Sequence, residues 1–424
     1  MKKKTFTEDV LTLAQGNGAA LLVQIASSLL LMRLYTPSAY DVFAVYIAVS
    51  AVVSSVAAFR FEPVILLVEE AEVSCSLALC AIAIAITLSI SLFVGGFYIL
   101  LSGGSYSSWI ILVCVFVAIL LGAVINVFSQ LVSRDRRFDL QRRSRVEQSL
   151  AMAVLQTTFV LLGPIGLILG DIGGRLVGLS RISRPYIHLV TSGSERPSVV
   201  RVKSLAKSHL NYPRMAAPAT FLNSLALQIP VIFISNFFHE GMAGAFGQSR
   251  KLIQTPVAVF GQAVAKAFIG RFSEIWRTES NLEVRASKLE AQFTRGLITL
   301  AKLGGLVLII GIAAPSIFPL VFGKEWALAG YITLWMLPLS IGALIIVPLS
   351  HSLLILQRQS TLLVWDASRV MAVISVFGVA AYLQLQVRET VLLYSVVMFL
   401  FYIELYYRCR GAIRQVSSRL RVGK

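Results

Sequence analysis

Runs of about twenty apolar residues recur along the whole chain, and no other feature limits its fold as strongly. The hydrocarbon core of a bilayer is about 30 Å thick, which about 20 helical residues cross. Backbone N–H and C=O groups find no water there, so they must bond within the spanning element. The runs are continuously apolar and do not alternate, which rules out a barrel and leaves helices. Twelve spans are predicted, at 10–34, 41–68, 75–101, 109–132, 147–163, 165–181, 215–238, 242–270, 296–322, 327–357, 360–383 and 390–408. Only the Gly163-Pro164 break separates the fifth from the sixth. Composition agrees: 57% of the 424 residues are hydrophobic and 14% are charged, against about 25% charged in soluble domains. The N-terminal MKKKTFTEDV has the cationic flank of a signal peptide, but the apolar run behind it is too long and no small-residue cleavage site follows. It is expected to be a retained first span. The four cysteines, Cys75, Cys80, Cys114 and Cys409, show no disulfide framework or metal spacing.

The formal charge of +17 sits mainly in short loops between the spans. That placement argues against nucleic acid as a partner and for membrane lipid or an anionic substrate. One set of loops holds Lys2–Lys4, the cluster RDRRFDLQRRSR (Arg134–Arg145), the stretches Arg181–Arg214 and Arg271–Arg295, Arg358, and the tail from Arg408. The opposite set holds only Lys324 and Arg388. Cations concentrate on the cytoplasmic side, so both termini are expected in the cytoplasm. The longest polar interval divides the chain into a six-helix bundle over 1–190, a basic cytoplasmic linker over 191–214, and a second six-helix bundle with a basic tail over 215–424. Within the linker, RPSVVRVKSLAKSHLNYPR fits either an amphipathic helix on the inner leaflet or a solvated loop. A faint echo relates the halves: LYTPSAYDVFAVY matches NFFHEGMAGAFGQSR, with Phe43 against Phe246.

Charges within the spans need a reason, since each costs roughly 2.5–3.5 kcal/mol on insertion scales. In the eighth span, Arg250 and Lys251 lie side by side. With about 100° per residue, Gln248, Lys251, Thr255, Gln262 and Lys266 share one arc. Gly247, Arg250, Gln254, Ala258, Gly261 and Ala265 share the next. Together they predict a polar, cationic or small wedge, with a kink at Pro256. Arg250 lies about eight residues, or roughly 12 Å, inside the outer end. Two readings stand for it: a water-filled cavity that binds an anion, or a structural ion pair. Arg33 ends the first span, and Arg60 with Glu62 ends the second. Asp171 and Arg175 are four residues apart, and Asp366 and Arg369 three apart, so each pair can neutralise itself. Glu404 has no cation near it on its own span before Arg408, which makes it a candidate for ion coupling beside Asp366 and Asp171. Polar residues on other spans, such as Asn17, Gln24 and Ser28 on the first, either join helices or line a cavity.

Several stretches resemble one family in order and spacing. They are LMRLYTPSAYDVFAVY, FRFEPVILL, NSLALQIPVIFISNFF, GQSRKLIQTPVAVFGQAVAKAFIGRFSE and LVFGKEWALAG. The chain resembles bacterial polysaccharide-export flippases of the O-antigen or exopolysaccharide type, which are similar in fold to lipid II flippases and to multidrug and toxin extrusion transporters. The resemblance implies an all-α integral membrane protein of about twelve transmembrane helices, in two six-helix bundles around a central cationic cavity. It implies an undecaprenyl-pyrophosphate-linked glycan as cargo, carried outward across the bacterial inner membrane by alternating access, and a glycan polymerase complex as a further partner. Arg250 matches the position of an arginine in the eighth helix of lipid II flippases, and Arg33 and Arg60 fall in the corresponding first and second helices. Around these, Lys251, Gln248 and Gln254 are expected to contact pyrophosphate or sugar. No nucleotide-binding motif is present, so no cofactor is expected, and proton or sodium coupling stays open.

Three other functions fit less well. An ion-coupled exporter of small cations on the same fold would want buried carboxylates rather than a cationic wedge. A membrane polymerase or ligase would need a sizeable external loop with acid–base residues, whereas these loops are short and the four histidines form no cluster. A passive scaffold would leave the wedge unexplained.

Overall fold

A computed structural model gives the fold and describes residues 6–66, 71–101, 106–191, 207 and 212–418. Most of the basic linker therefore lies outside the described residues, as do Lys2–Lys4. Among the described residues the regular structure is helical throughout. The first six helices are α1 (Phe6–Leu34), α2 (Pro37–Ser54), α3 (Ala71–Leu101), α4 (Tyr106–Arg134), α5 (Phe138–Thr158) and α6 (Pro164–Thr191). After α7 (Ala217–Phe237) come α8 (Met242–Thr278), α9 (Leu282–Phe322), α10 (Ala327–Trp335), α11 (Leu337–Ile355), α12 (Gln359–Tyr382) and α13 (Val387–Ser418). Among the described residues, eight helices are long and apolar enough to cross a membrane: α2, α3, α4, α7, α9, α11, α12 and α13. Of the rest, α10 is short, and α1 has its apolar part confined to Gly18–Leu34. The remaining three, α5, α6 and α8, carry the polar and charged residues that demand a reason inside a bilayer.

The helices form two compact units, Met1–Gln228 and Ile229–Lys424, with the division inside α7. In the first unit α5 packs against α1 and α6, and α4 against α2, α3 and α6. Its core holds Val64, Ile65, Val127, Val132 and Ile182. In the second unit α11 is central, packed on α8, α9 and α13.

Five predicted spans change on inspection. The second is expected over 41–68 but ends at Ser54. Thr36 caps its start by accepting a hydrogen bond from the Ala39 amide at 3.3 Å, with Pro37 in the first turn. Beyond Ser54 the chain turns, and Phe59 and Arg60 take left-handed backbone angles (φ 47° and 57°) that no α-helix contains. The fifth span begins at Phe138 rather than 147, so part of the basic cluster is helical. It stops at Thr158, and the break falls where Gly163 takes φ +59°. The tenth span, 327–357, is two helices, α10 and α11, meeting at Met336 just before Pro338. Finally α8 and α9 far outrun 242–270 and 296–322. At 37 and 41 residues they are about 55 and 61 Å long, so each extends well beyond a bilayer core. Between Met242 and Thr278 α8 is continuous through Pro256.

The join between α8 and α9 is tightly bonded. Asn281 caps α9, its Oδ1 accepting from the amides of Glu283 (3.0 Å) and Val284 (3.2 Å). Arg285 lies 5.2 Å over the Trp276 ring, and its Nε donates to the Glu279 carbonyl at 2.6 Å. A hydrogen bond from Lys288 holds the Glu279 carboxyl below the usual range. Replacing Asn281 with Ala removes two acceptor contacts and costs about 1 kcal/mol. Hydrogen exchange at Glu283 and Val284 is expected to speed up by about fivefold; unchanged exchange there would show that the cap contributes nothing.

Candidate functional site

The two arcs of α8 that the sequence merges into one wedge are covered unevenly in the fold: Gln248 is buried, Lys251 and Thr255 are half-buried, and only the far end of their arc is open. Gly261 and Ala265 are buried, and a Cβ on Gly261 would stand 3.5 Å from Pro348 on α11. The hydroxyl of Ser249, fully buried, lies 2.6 and 2.7 Å from the Ala245 and Ala329 carbonyls and can donate its one proton to either, the second bond tying α8 to α10. Arg250 and Gln254 lie on this packed side, whereas Gln262 and Lys266 are exposed. A helical wheel of one helix cannot separate these arcs, because the neighbours α10 and α11 decide which is covered.

Arg250 therefore points into the second unit. Its Nε donates to Gln254 Oε1 at 3.0 Å, one turn further along α8. The phenols of Tyr394 and Tyr402, both buried on α13, are its electrostatic neighbours. The same two phenols also face Arg369 of α12, which hydrogen-bonds to Tyr402. Arg369 lies 5.1 Å over the Trp365 ring and 3.2 Å from Asp366 Oδ1. Three helices thus bring two guanidiniums, the Asp366 carboxylate, two phenols and an amide within electrostatic reach of one another. Guanidiniums supply planar pairs of donors, and phenols can donate or accept, so the cluster suits a phosphate or another multi-oxygen anion. The sequence pattern treats Arg369 as neutralised by Asp366 and passes over both tyrosines. Their signal is faint: they lie eight residues apart, in a row with buried Met398 and Leu405.

The other candidates sit apart from this cluster. Arg33 is exposed in the last turn of α1. Arg60 pairs with Glu62 at 3.2 Å, in the turn after α2 rather than at a helix end. Lys251, the next residue along α8, is half-buried, and its carbonyl accepts from Thr255. Gln248 is buried, and among the described residues its Oε1 finds no hydrogen-bond partner. Gln24 of α1 donates to Ser149 of α5 at 3.2 Å and so joins two helices.

The three carboxylates considered for ion coupling each touch an arginine of their own helix. Asp366 pairs with Arg369, and Glu404 accepts from Arg408 Nε at 2.7 Å. Asp171 Oδ2 accepts from Arg175 Nε at 2.7 Å and from the Tyr46 hydroxyl at 2.8 Å, all within the first unit. Small residues make room for that arginine: a Cβ on Gly122 would come within 3.2 Å of Arg175 Nη1. Among the described residues no group of three or more His, Cys, Asp or Glu could hold a metal ion.

A family model described as polysaccharide biosynthesis protein matches residues 30–329. The chain belongs to that family. No curated protein sequence matches it. Solved structures share the family member's fold at low identity. The lipid II flippase MurJ, in an inward closed conformation, superposes with a TM-score of 0.68 at 11% identity, over 97% of this chain and 90% of that one. An inward-facing multidrug resistance MATE family transporter of the MOP superfamily gives 0.60 at 16% identity, over 96% and 95%. A MOP superfamily transporter from Pyrococcus furiosus, described as having reversed binding-pocket polarity, gives 0.58 at 15% identity, over 96% of each chain. The family member is thus a multi-pass membrane protein with a transporter and flippase fold, as the sequence resemblance implies.

Proposed function

We propose that this chain moves undecaprenyl-pyrophosphate-linked oligosaccharide repeat units from the inner to the outer leaflet of the bacterial cytoplasmic membrane, by alternating access. One observation carries the reading: Arg250 and Arg369 converge on Tyr394 and Tyr402 inside the membrane-spanning part of a polysaccharide biosynthesis family member. A pyrophosphate needs several oriented donors to leave water, and charge-assisted bonds from guanidinium are the strong kind. Gln254, bonded to Arg250, adds its amide to the donor set one turn along α8. Both termini face the cytoplasm on this reading, as the loop cations require. Asp171, Asp366 and Glu404 are the places where a proton or sodium ion would compete with an arginine, and at Asp171, which also accepts from the Tyr46 hydroxyl of α2, ion uptake would loosen a contact between helices and so drive the cycle. A second reading, export of small molecules, draws support from the MATE-type fold. The paired guanidiniums weigh against cationic cargo.

Deleting the gene tests the proposal. Lipid-linked repeat units are expected to accumulate on the cytoplasmic face, protected from periplasmic enzymes, while surface glycan disappears. Normal surface glycan in the deletion strain would remove the reading.

A further inference from the structure

The second unit contains a cavity of about 570 Å³ that lies apart from the arginine cluster. It opens where α7 and α12 end and α8 and α13 begin, the end that the loop cations place outside. Phe233, Phe237 and Phe238 form its aromatic wall, and His239, Gln384 and Gln386 add polar groups. Phe233 and Phe237 stack at 4.2 Å with ring planes 15° apart, and Phe238 stands edge-on to Phe233 at 6.2 Å. Phe237 is 61% exposed, so the stacked pair keeps an open aromatic surface.

Two tight turns fix the polar side. After α12, Leu385 donates its amide to the Ala380 carbonyl at 3.0 Å, and Gln384 takes a left-handed φ of 50°. The Gln386 amide then donates to Glu389 Oε2 at 3.1 Å at the start of α13. Between α7 and α8, Met242 donates to the His239 carbonyl at 3.3 Å, and Gly241 takes φ +90°. A site whose backbone is already bonded loses little freedom when it binds.

We propose that this cavity binds a sugar ring of the cargo as the glycan reaches the outer side. The volume falls within the range of small-molecule sites, about 300–1,000 Å³. A pyranose has a C–H face and a rim of hydroxyls. Aromatic faces carry partial negative charge and accept such C–H groups, while side-chain amides and imidazole can both donate to and accept from hydroxyls. An acyl chain would strip water from His239, Gln384 and Gln386 and return no hydrogen bond. Among the described residues the lining contains no Lys, Arg, Asp or Glu, which suits a neutral moiety rather than the pyrophosphate. Arg250 lies on the same helix, eight residues beyond Met242, or about 12 Å along its axis. A pyrophosphate held at Arg250 would leave an attached glycan within reach of the cavity. The inference rests on the cargo proposed above.

The probe is the free oligosaccharide released by mild acid from the lipid-linked material of the deletion strain. Saturation transfer from the wild-type protein in lipid nanodiscs to the sugar protons is expected. Phe237→Ala and Gln384→Ala, both at exposed positions, are expected to weaken it by about fivefold while leaving the monodisperse elution profile unchanged. Transfer no stronger than from empty nanodiscs, or equal transfer in both variants, would overturn the site. So would quenching of Phe237→Trp fluorescence by lipids brominated on the acyl chain, which would place a lipid tail there instead. A deletion strain without accumulated lipid-linked glycan defeats the cargo reading itself, whereas accumulation without transfer defeats only this site.

Discussion

Arg250→Ala is expected to abolish glycan export while the protein still inserts and accumulates at the wild-type level. Its Nε bonds to Gln254 of the same helix at 3.0 Å, and its electrostatic neighbours on α13 are the phenols of Tyr394 and Tyr402. The contacts of α8 with α10 and α11 run through Ser249 and Gly261 instead. On the proposed reading, the substitution removes donors for an anion. Hydrogen bonds to charged groups contribute about 1.5–3 kcal/mol each, so losing even one weakens binding by about tenfold or more. Arg250→Lys is expected to restore the charge but not the planar fork, and so to recover export only in part. Surface glycan in a complemented deletion strain measures export, and an immunoblot of the membrane fraction measures the protein. Full export by the alanine variant would remove Arg250 from the mechanism. Equal export by the lysine variant and the wild type would show that charge alone matters.

The spans were legible because hydrocarbon thickness demands about 20 apolar residues, whatever surrounds them. Their ends were not, because water and neighbours decide those. The second span reads as apolar past Ser54, yet Phe59 and Arg60 turn the chain, and composition does not encode a left-handed φ at non-glycine residues. Helices α8 and α9 run past the membrane because Asn281, Trp276 and Arg285 bond their join, and a hydropathy window stops where charge begins. At the candidate site the ion pairs within one helix were legible from spacing: Asp171 with Arg175, Asp366 with Arg369, and Glu404 with Arg408 all meet. The meeting of Arg250 with Tyr394 and Tyr402 was not, since it depends on how three helices far apart in sequence pack. One strong local signal went unused. Gly166, Gly170, Gly174 and Gly178 recur every four residues along α6, the spacing of small residues at close helix contacts.

That stripe makes Gly170→Leu the substitution with the largest expected effect on folding. Helices α5 and α6 meet along it. A Cβ on Gly170 would stand 2.8 Å from the Gln156 backbone nitrogen and 3.0 Å from its Cα. A Cβ on Gly166 would come within 2.9 Å of the Phe159 carbonyl carbon. Backbone cannot swing aside as a side chain can, so the helices must part. Parting them breaks a buried bond, from Gln156 Nε2 to the Leu167 carbonyl at 2.9 Å. Overpacking costs about 1–3 kcal/mol where neighbours can adjust, and each orphaned buried polar group adds about 1–3 kcal/mol. The expected result is loss of the monodisperse detergent-solubilised protein. Even Gly170→Ala is expected to lower the melting temperature. Gly270→Ala in α8 is the control, because a Cβ there meets nothing within 4 Å and alanine favours a helix by about 1 kcal/mol over glycine. It is expected to leave stability unchanged or slightly raised. A Gly170→Leu protein that elutes and melts like the Gly270→Ala control would show that α5 and α6 do not depend on close contact at this stripe.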